Sequence, residues 1–415
     1  MTTLTPPRVE DINLSDPAFW LLPEDQREAA FAALRAEPGL RFFPELTFEG
    51  QEPGPGYWAL TRFDDVWTAS RKPETFLSGK GVNIPDMPVE VSELFGSMIA
   101  MDDPRHAKLR GIINRGFTPK QVNDLGDMVR HKARAIVDRV APMGECDFVR
   151  EIAAALPLQI ICDMMGIPAE RYDRIFELTN TILGVGDPEY ASTMEELMAA
   201  AMELFSYAME LGEERLRQPA DDITSKLMHG EVDGDRMTTQ EFGSFFILLV
   251  VAGNETTRNA ISHGMKALTE HPDQRAIWQA DFSAVAPTAV EEIVRWASPV
   301  IHFRRTASQD TVIGGQTVAA GDKVVLWYNS ANRDERKFPD PFRFDVRRAQ
   351  NEHAGFGAGG PHFCLGAHLA RREITVMFEE LFRRLPDLEI TGEPDRLQSA
   401  FIHGIKRMPC RFTPC

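Results

Sequence analysis

The sequence predicts a mainly α-helical protein with a minor β region. Three observations carry this. Residues 239–271 read as one unbroken helix that stops at Pro272 and is apolar through its middle. At 1.5 Å per residue it is about 50 Å long, enough to cross a whole domain as its core. Residues 168–229 continue in helical, Met-rich text, with breaks only near 184–188 and at Pro219. Strand-like segments are short and gathered between 301 and 328, so the chain lacks the alternation of a parallel α/β protein.

The elements follow in order. Residues 23–36 read as a helix, and 57–66 alternate like a strand. Asp102 and Asp103 precede Pro104 as a cap-like pair, opening a helix that runs to 116. Residues 120–140 and 151–165 are further helices, the second punctuated by Gly166 and Pro168. After the long helix comes another over 287–296, ended by Ser298-Pro299. Short strands follow at 301–307, 311–313, 317–318 and 323–328. An irregular Pro- and Arg-rich stretch covers 332–350, then a Gly-rich loop at 355–360, a helix over 365–385 and a tail of strands and turns. No repeat or linker divides the chain, so residues 1–415 are expected to form one domain.

The net charge of −17 excludes the basic footprint that non-specific nucleic-acid binding requires. The longest apolar stretch, 245–253, falls far short of the ~20 residues a membrane span needs. No signal-peptide pattern opens the chain. The five cysteines, 146, 162, 364, 410 and 415, show no metal-binding spacing and suit a reducing cytoplasm.

One cysteine stands apart. Phe356-Gly-Ala-Gly-Gly-Pro-His-Phe-Cys364-Leu-Gly366 places it after a Gly-rich loop and at the head of a helix. Glycines let a backbone approach a flat macrocycle, and a helix N-terminus favours an anionic sulfur. Taken alone, Cys364 reads equally as a buried structural thiol. The whole segment resembles the cysteine-ligand loop of the cytochrome P450 family. It departs in one respect: Phe356 stands eight residues before the cysteine instead of the usual seven, so Gly359 or Gly360 reads as an insertion.

Two further motifs, in family order, extend the resemblance over nearly the whole chain. Ala252-Gly-Asn-Glu-Thr-Thr257 puts four polar residues in the middle of an apolar helix, where each needs a partner or a cavity. Thr256 can bond back to the carbonyl of Ala252 and loosen the helix there. The segment is similar to the family's oxygen-binding motif. That resemblance implies Glu255 as the acid relaying protons and Thr256 as the alcohol organising the hydrogen bonds through which they pass. Glu292 and Arg295 share a helix face. With Arg343, in Pro341-Phe-Arg-Phe344, they resemble the charge network that braces the cysteine loop.

The resemblance implies a haem b cofactor, with Cys364 as axial thiolate, lying between the long helix and the cysteine loop of a triangular-prism fold. His106, Arg110, Arg305 and His362 match the family's propionate-binding positions. Leu248 and Ala252 share a face with Thr256 at four-residue spacing, with Val251 adjacent; Val300 and Phe401 match the family's pocket-lining positions, Phe95 lies in the loop that covers substrate in the family, and the set is apolar. The subgroup resembled is the mycobacterial methyl-branched lipid ω-hydroxylases. The expected reaction is hydroxylation at or near the end of a methyl-branched fatty acid, isoprenoid or sterol side chain. A terpene or steroid-ring hydroxylase is the alternative within the family, and a non-catalytic haem sensor or carrier the alternative outside it. The sequence shows no flavin or ferredoxin module, so electrons are expected from a separate ferredoxin and ferredoxin reductase, which a basic face built from Arg105, Lys108, Arg110, Arg115, Lys120, Arg371 and Arg372 would receive. A monomer is expected.

Overall fold

The computed structural model describes residues 7–45, 54–87, 94, 97–114, 125–184, 186–190, 193–232 and 234–415. In chain order the first elements are α1 (Glu24–Ala36), β1 (Arg41–Phe43), β2 (Tyr57–Leu60), α2 (Phe63–Ser70) and β3 (Phe76–Leu77). Then come α3 (Arg105–Asn114), α4 (Gly126–Val140), β4 (Glu145–Asp147), α5 (Ala155–Met165), α6 (Tyr172–Leu183), α7 (Met194–Arg217) and α8 (Ile223–Met228). The strand pair β5 (Glu231–Val232) and β6 (Asp235–Arg236) leads into α9 (Thr239–Glu270). After it lie α10 (Pro272–Ala280), α11 (Phe282–Ala297), β7 (His302–Ala307), β8 (Thr311–Ile313), β9 (Gln316–Val318), β10 (Lys323–Trp327) and α12 (Tyr328–Ala331). The chain closes with α13 (Ala367–Arg384), β11 (Glu389–Ile390), β12 (Asp395–Arg396), β13 (Ile405–Arg407) and β14 (Pro409–Arg411).

The axis of the molecule is α9, as its length and apolar middle predict. A capping box starts it: Thr238 Oγ1 accepts from the Glu241 amide at 3.1 Å, and the Glu241 carboxylate accepts from the Thr238 amide at 2.9 Å. It stops at Glu270, and Pro272 opens α10, where the missing N–H of proline costs nothing. Helices α5, α7, α11 and α13 pack around it. Their buried faces merge with it into one large apolar core.

The sheet beside this helical body has the strand order β1-β2-β10-β7-β3. Its central strand, β10, is buried at every position. Val324 and Leu326 point into one apolar cluster with Phe63 and Phe338, while Val325 and Trp327 point into another with Phe31 and Tyr57. A second sheet, β11-β14-β4, ties the C-terminus to the segment after α4.

Two expectations about elements change. Residues 57–66 are a strand to Leu60 followed by α2, because tertiary pairing with β10 uses only four residues. Helix α11 starts at Phe282, five residues before the expected Pro287, because the Asp281 carboxylate caps the Ala284 amide at 3.2 Å.

Candidate active site

Cys364 sits at the end of the Gly-rich loop, three residues ahead of α13. Its amide donates to the Phe356 carbonyl at 2.9 Å, closing the loop over the inserted glycine. Gly360 has φ +77, and a Cβ there would stand 2.1 Å from the Ser70 carbonyl oxygen. Ser70 Oγ donates in turn to the Gly359 carbonyl at 2.9 Å. The longer loop is thus seated against the end of α2, which only glycine permits. The cysteine sulfur is accessible although protein surrounds it closely. Burial raises the thiol's pKa and outweighs the lowering by the Gly366 N–H, Arg110 and Arg371. The Gly366 N–H at the head of the helix acts in the expected direction, lowering the pKa, while burial opposes it.

A cluster of basic groups surrounds it. The His106 and His362 rings lie 4.2 Å apart. Arg110 donates to the Phe363 carbonyl at 2.5 Å, and buried Arg305 donates to the Arg304 carbonyl at 2.7 Å. His106 Nε2 is buried without a hydrogen-bond partner. Burial, then Arg305, holds the pKa of His362 down at about 3. Burial also lowers the pKa of His106, opposed by the hydrogen bond to Asp103. Asp103 meets His106 Nδ1 at 3.3 Å, and the guanidiniums with the unpartnered Nε2 leave donors that further carboxylates would satisfy. The propionates of a haem supply that chemistry, so the residues fit the group.

On α9 accessibility runs along a stripe. Leu248, Val251 and Thr256 are partly accessible and Ala252 is exposed, while Val250, Asn254, Glu255 and Thr257 are buried. Such a stripe on a core helix is the surface an apolar ligand covers. Thr256 Oγ1 donates to the Ala252 carbonyl at 2.7 Å, as expected. Glu255 points instead into a buried polar set. Its Oε1 accepts from Asn259 Nδ2 at 3.0 Å and pairs with Arg258, which also donates to Asn180 Oδ1 at 2.9 Å. Glu255 Oε2 is buried without a partner. Val300 and Phe401 are brought side by side: Val300 bridges Ile402, and the Ile301 amide donates to the Phe401 carbonyl at 2.8 Å. Phe95 lies outside the described residues.

The bracing network is present with one member exchanged. Glu292 and Arg295, both fully buried, form two parallel bonds of 2.8 Å. Arg295 also donates to the carbonyls of Asn332 and Pro341 at 2.8 and 2.9 Å. The third charge is Arg348, not Arg343: Arg348 Nε donates to Glu292 Oε2 at 3.1 Å. The Arg343 side chain is 63% accessible, and only its carbonyl joins, accepting from Arg348 Nη2 at 2.7 Å. Both arginines lie in the same irregular stretch, and spacing cannot say which turns inward. A second brace holds the loop directly. Glu291 takes both Arg371, at 2.5 Å, and His353, at 3.2 Å, and the Arg371 guanidinium lies 4.4 Å from the Phe356 ring centroid. Arg371 is thus committed to the loop, while Lys108 pairs with Asp235 at 2.5 Å, so these members of the expected basic face hold partners. Arg115 and Lys120 of that face lie outside the described residues.

Sequence reading missed Glu373, although its signal is visible: a carboxylate at the centre of the Leu369–Glu373–Met377 stripe of α13. Thr257 on α9 is its hydrogen-bond partner, and burial pushes its pKa up to about 8. A raised carboxyl pKa contributes stability fully below the ordinary value of 4.5, and that contribution is lost as pH rises through about 8. Glu373→Gln should therefore gain stability over the wild type between pH 5 and 8, by at most ~1.4 kcal/mol per pH unit. Urea melts across that range check it, and parallel pH profiles for the two proteins contradict it.

A family model described as Cytochrome P450 matches residues 94–398. With the cysteine loop, the braced Glu-Arg pair and the Thr256 helix in place, the chain defines a haem-thiolate protein and belongs to the cytochrome P450 family. It is a cytochrome P450 monooxygenase. The methyl-branched lipid omega-hydroxylase of Mycobacterium tuberculosis is 54% identical over 415 residues, covering 99% of this chain and 97% of the relative. The steroid C26-monooxygenase of Mycolicibacterium smegmatis is 42% identical over 86% of this chain and 84% of its own length. A Mycobacterium marinum cytochrome P450 solved in complex with pseudoionone is 44% identical and superimposes with a TM-score of 0.93, covering 99% of this chain and 100% of that one. Among the described residues no helix is long and apolar enough to cross a membrane.

Proposed function

We propose that this protein hydroxylates the terminal or near-terminal carbon of a methyl-branched fatty acid, an isoprenoid or a sterol side chain. O2 and two electrons from a separate ferredoxin and its reductase complete the reaction. The observation that carries the reading is the accessible stripe Leu248–Ala252–Thr256 on a largely buried helix: an apolar path that ends at a hydroxyl. Relatives named for branched-lipid ω-hydroxylation and steroid C26 oxidation support it. The acyclic pseudoionone of the Mycobacterium marinum protein supports the isoprenoid class.

Residues 1–415 act as a single haem domain, as a monomer in the cytoplasm, a setting that the free thiols suit. Cys364 would supply the thiolate ligand of haem b, and Arg110, Arg305, His106 and His362 would hold its propionates. Bound there, the iron activates O2 for insertion of one oxygen atom into a C–H bond. The chain's own residues do the rest. Leu248, Val251, Val300 and Phe401 exclude water and hold the substrate chain. Terminal C–H bonds are strong, so selectivity comes from presenting one carbon and no other. Thr256, whose hydroxyl donates to the Ala252 carbonyl, would be the alcohol that organises the hydrogen bonds through which protons pass. Glu255, steadied by Arg258 and Asn259 through Oε1, passes protons through the unpartnered Oε2.

Optical titration of the purified ferric holoprotein tests the substrate class. Branched fatty acids, acyclic isoprenoid alcohols and side-chain-intact sterols are expected to shift the haem band toward high spin. A linear fatty acid is expected to bind at least ~10-fold more weakly, since an unfilled branch pocket forfeits about 1–3 kcal/mol. A band moved only by compact ring terpenes would refute the chain-end reading.

A further inference from the structure

The second sheet joins two thiols that the active site does not use. Cys146 on β4 stands directly opposite Cys410 on β14 in an antiparallel ladder, and their sulfurs are 3.6 Å apart. Residues directly opposite in such a ladder have Cα atoms about 4.5–5.5 Å apart, within the span a disulfide bridges. The backbone therefore needs no rearrangement to join them. We propose that Cys146 and Cys410 form a peroxide-responsive modification site, oxidised to a cross-strand disulfide that fastens the C-terminal strand to the segment after α4.

The surroundings assign the two roles. Cys146 is partly accessible, so peroxide can reach its sulfur. Cys410 is 2% exposed, closed off behind Cys146, and burial disfavours its thiolate. Cys146 is thus the attacking sulfur and Cys410 the resolving one. The other thiols lack such a neighbour. Cys162 is fully buried with its pKa pushed up to about 12. The Cys415 thiol donates to the Arg384 carbonyl at 3.3 Å.

The oxidant is hydrogen peroxide, the two-electron reduction product of the O2 that a monooxygenase consumes. The Cys146 thiolate attacks one peroxide oxygen, the O–O bond breaks, and the departing hydroxide takes up the proton that Cys146 released, giving one water. The Cys410 sulfur then attacks the sulfenic acid on Cys146. The S–O bond breaks, an S–S bond forms, and hydroxide leaves with the Cys410 proton as a second water. Two thiols lose two electrons, and the peroxide gains them.

Intact-mass measurement and non-reducing peptide mapping of the holoprotein test this. After brief exposure to dilute hydrogen peroxide, the wild type should lose the mass of two hydrogen atoms and two alkylatable thiols. One cross-linked peptide pair, containing Cys146 and Cys410, should appear and vanish with a reductant. Cys410→Ser should instead gain one oxygen at Cys146, and Cys146→Ser should gain neither cross-link nor oxygen at residue 410. A cross-link from Cys146 to Cys415 would overturn the assignment, as would thiols at 146 and 410 that remain alkylatable after peroxide. The wild-type map stands even where a serine variant folds poorly.

Discussion

Replacing Arg295 by leucine is expected to cost about 3–5 kcal/mol of stability, because it strands the Glu292 carboxylate in a fully buried site. The loss reaches beyond the pair. Arg295 holds the carbonyls of Asn332 and Pro341, and Asn332 Oδ1 accepts from the Ala354 amide at 2.7 Å, just before the Gly-rich loop. Removing the guanidinium therefore frees the segment that delivers Cys364, and haem content should fall with stability. Arg348→Ala should cost roughly 2–3 kcal/mol by the same route. Arg343→Ala should cost less than about 0.5 kcal/mol, since that side chain is in solvent. Urea unfolding of the three variants, with haem quantified per chain, checks the order. An Arg343 variant as damaged as Arg348→Ala would show that the charge network is drawn wrongly.

Cys364→Ser is expected to abolish the thiolate signature of the reduced carbonyl complex. Hydroxylation should fall by roughly a thousandfold or more, ~4 kcal/mol of barrier. The thiolate is the electron-rich ligand on which oxygen activation depends, and serine restores the volume but not that donor. The fold should persist, because the loop is held by the bond from the residue-364 amide to the Phe356 carbonyl and by the Glu291–Arg371 brace, none of which uses the sulfur. Cys162→Ser is the control: that thiol packs in the helical core, so its loss should leave the spectrum intact. Reduced carbonyl spectra and turnover of the two variants decide the matter. A Cys364→Ser protein that kept the thiolate spectrum would place the ligand elsewhere.

Much of this site was legible from short motifs because their chemistry is local. The Cys364 loop shows its glycines in order, and the Thr256 back-bond to Ala252 follows from four-residue spacing on one helix. The Glu292–Arg295 pair is likewise a helix neighbourhood, which sequence spacing predicts directly. What the motifs left open depended on groups distant in the chain. Arg348 and Arg343 are five residues apart in a stretch with no periodicity, so only the folded path decides which one meets Glu292. Arg371 looked like a docking charge until the fold set it against Glu291, 80 residues earlier. Glu373 broke a helical stripe visibly, but nothing in the text said that Thr257 would face it.

The family resemblance implied the roles of the cysteine loop and of Glu255 and Thr256; by itself, the sequence determined the helical class and the long core helix with its stop at Pro272. These rest on backbone periodicity, turn chemistry and side chains a few residues apart. Tertiary structure alone decided the burial of His106 and the packing of its ring against His362, the partner of Glu255, the third member of the buried charge network and the facing of Cys146 with Cys410. Each of these depends on desolvation or on contacts across the fold. Burial acts on a group through everything packed around it, and that neighbourhood exists only once the chain has folded.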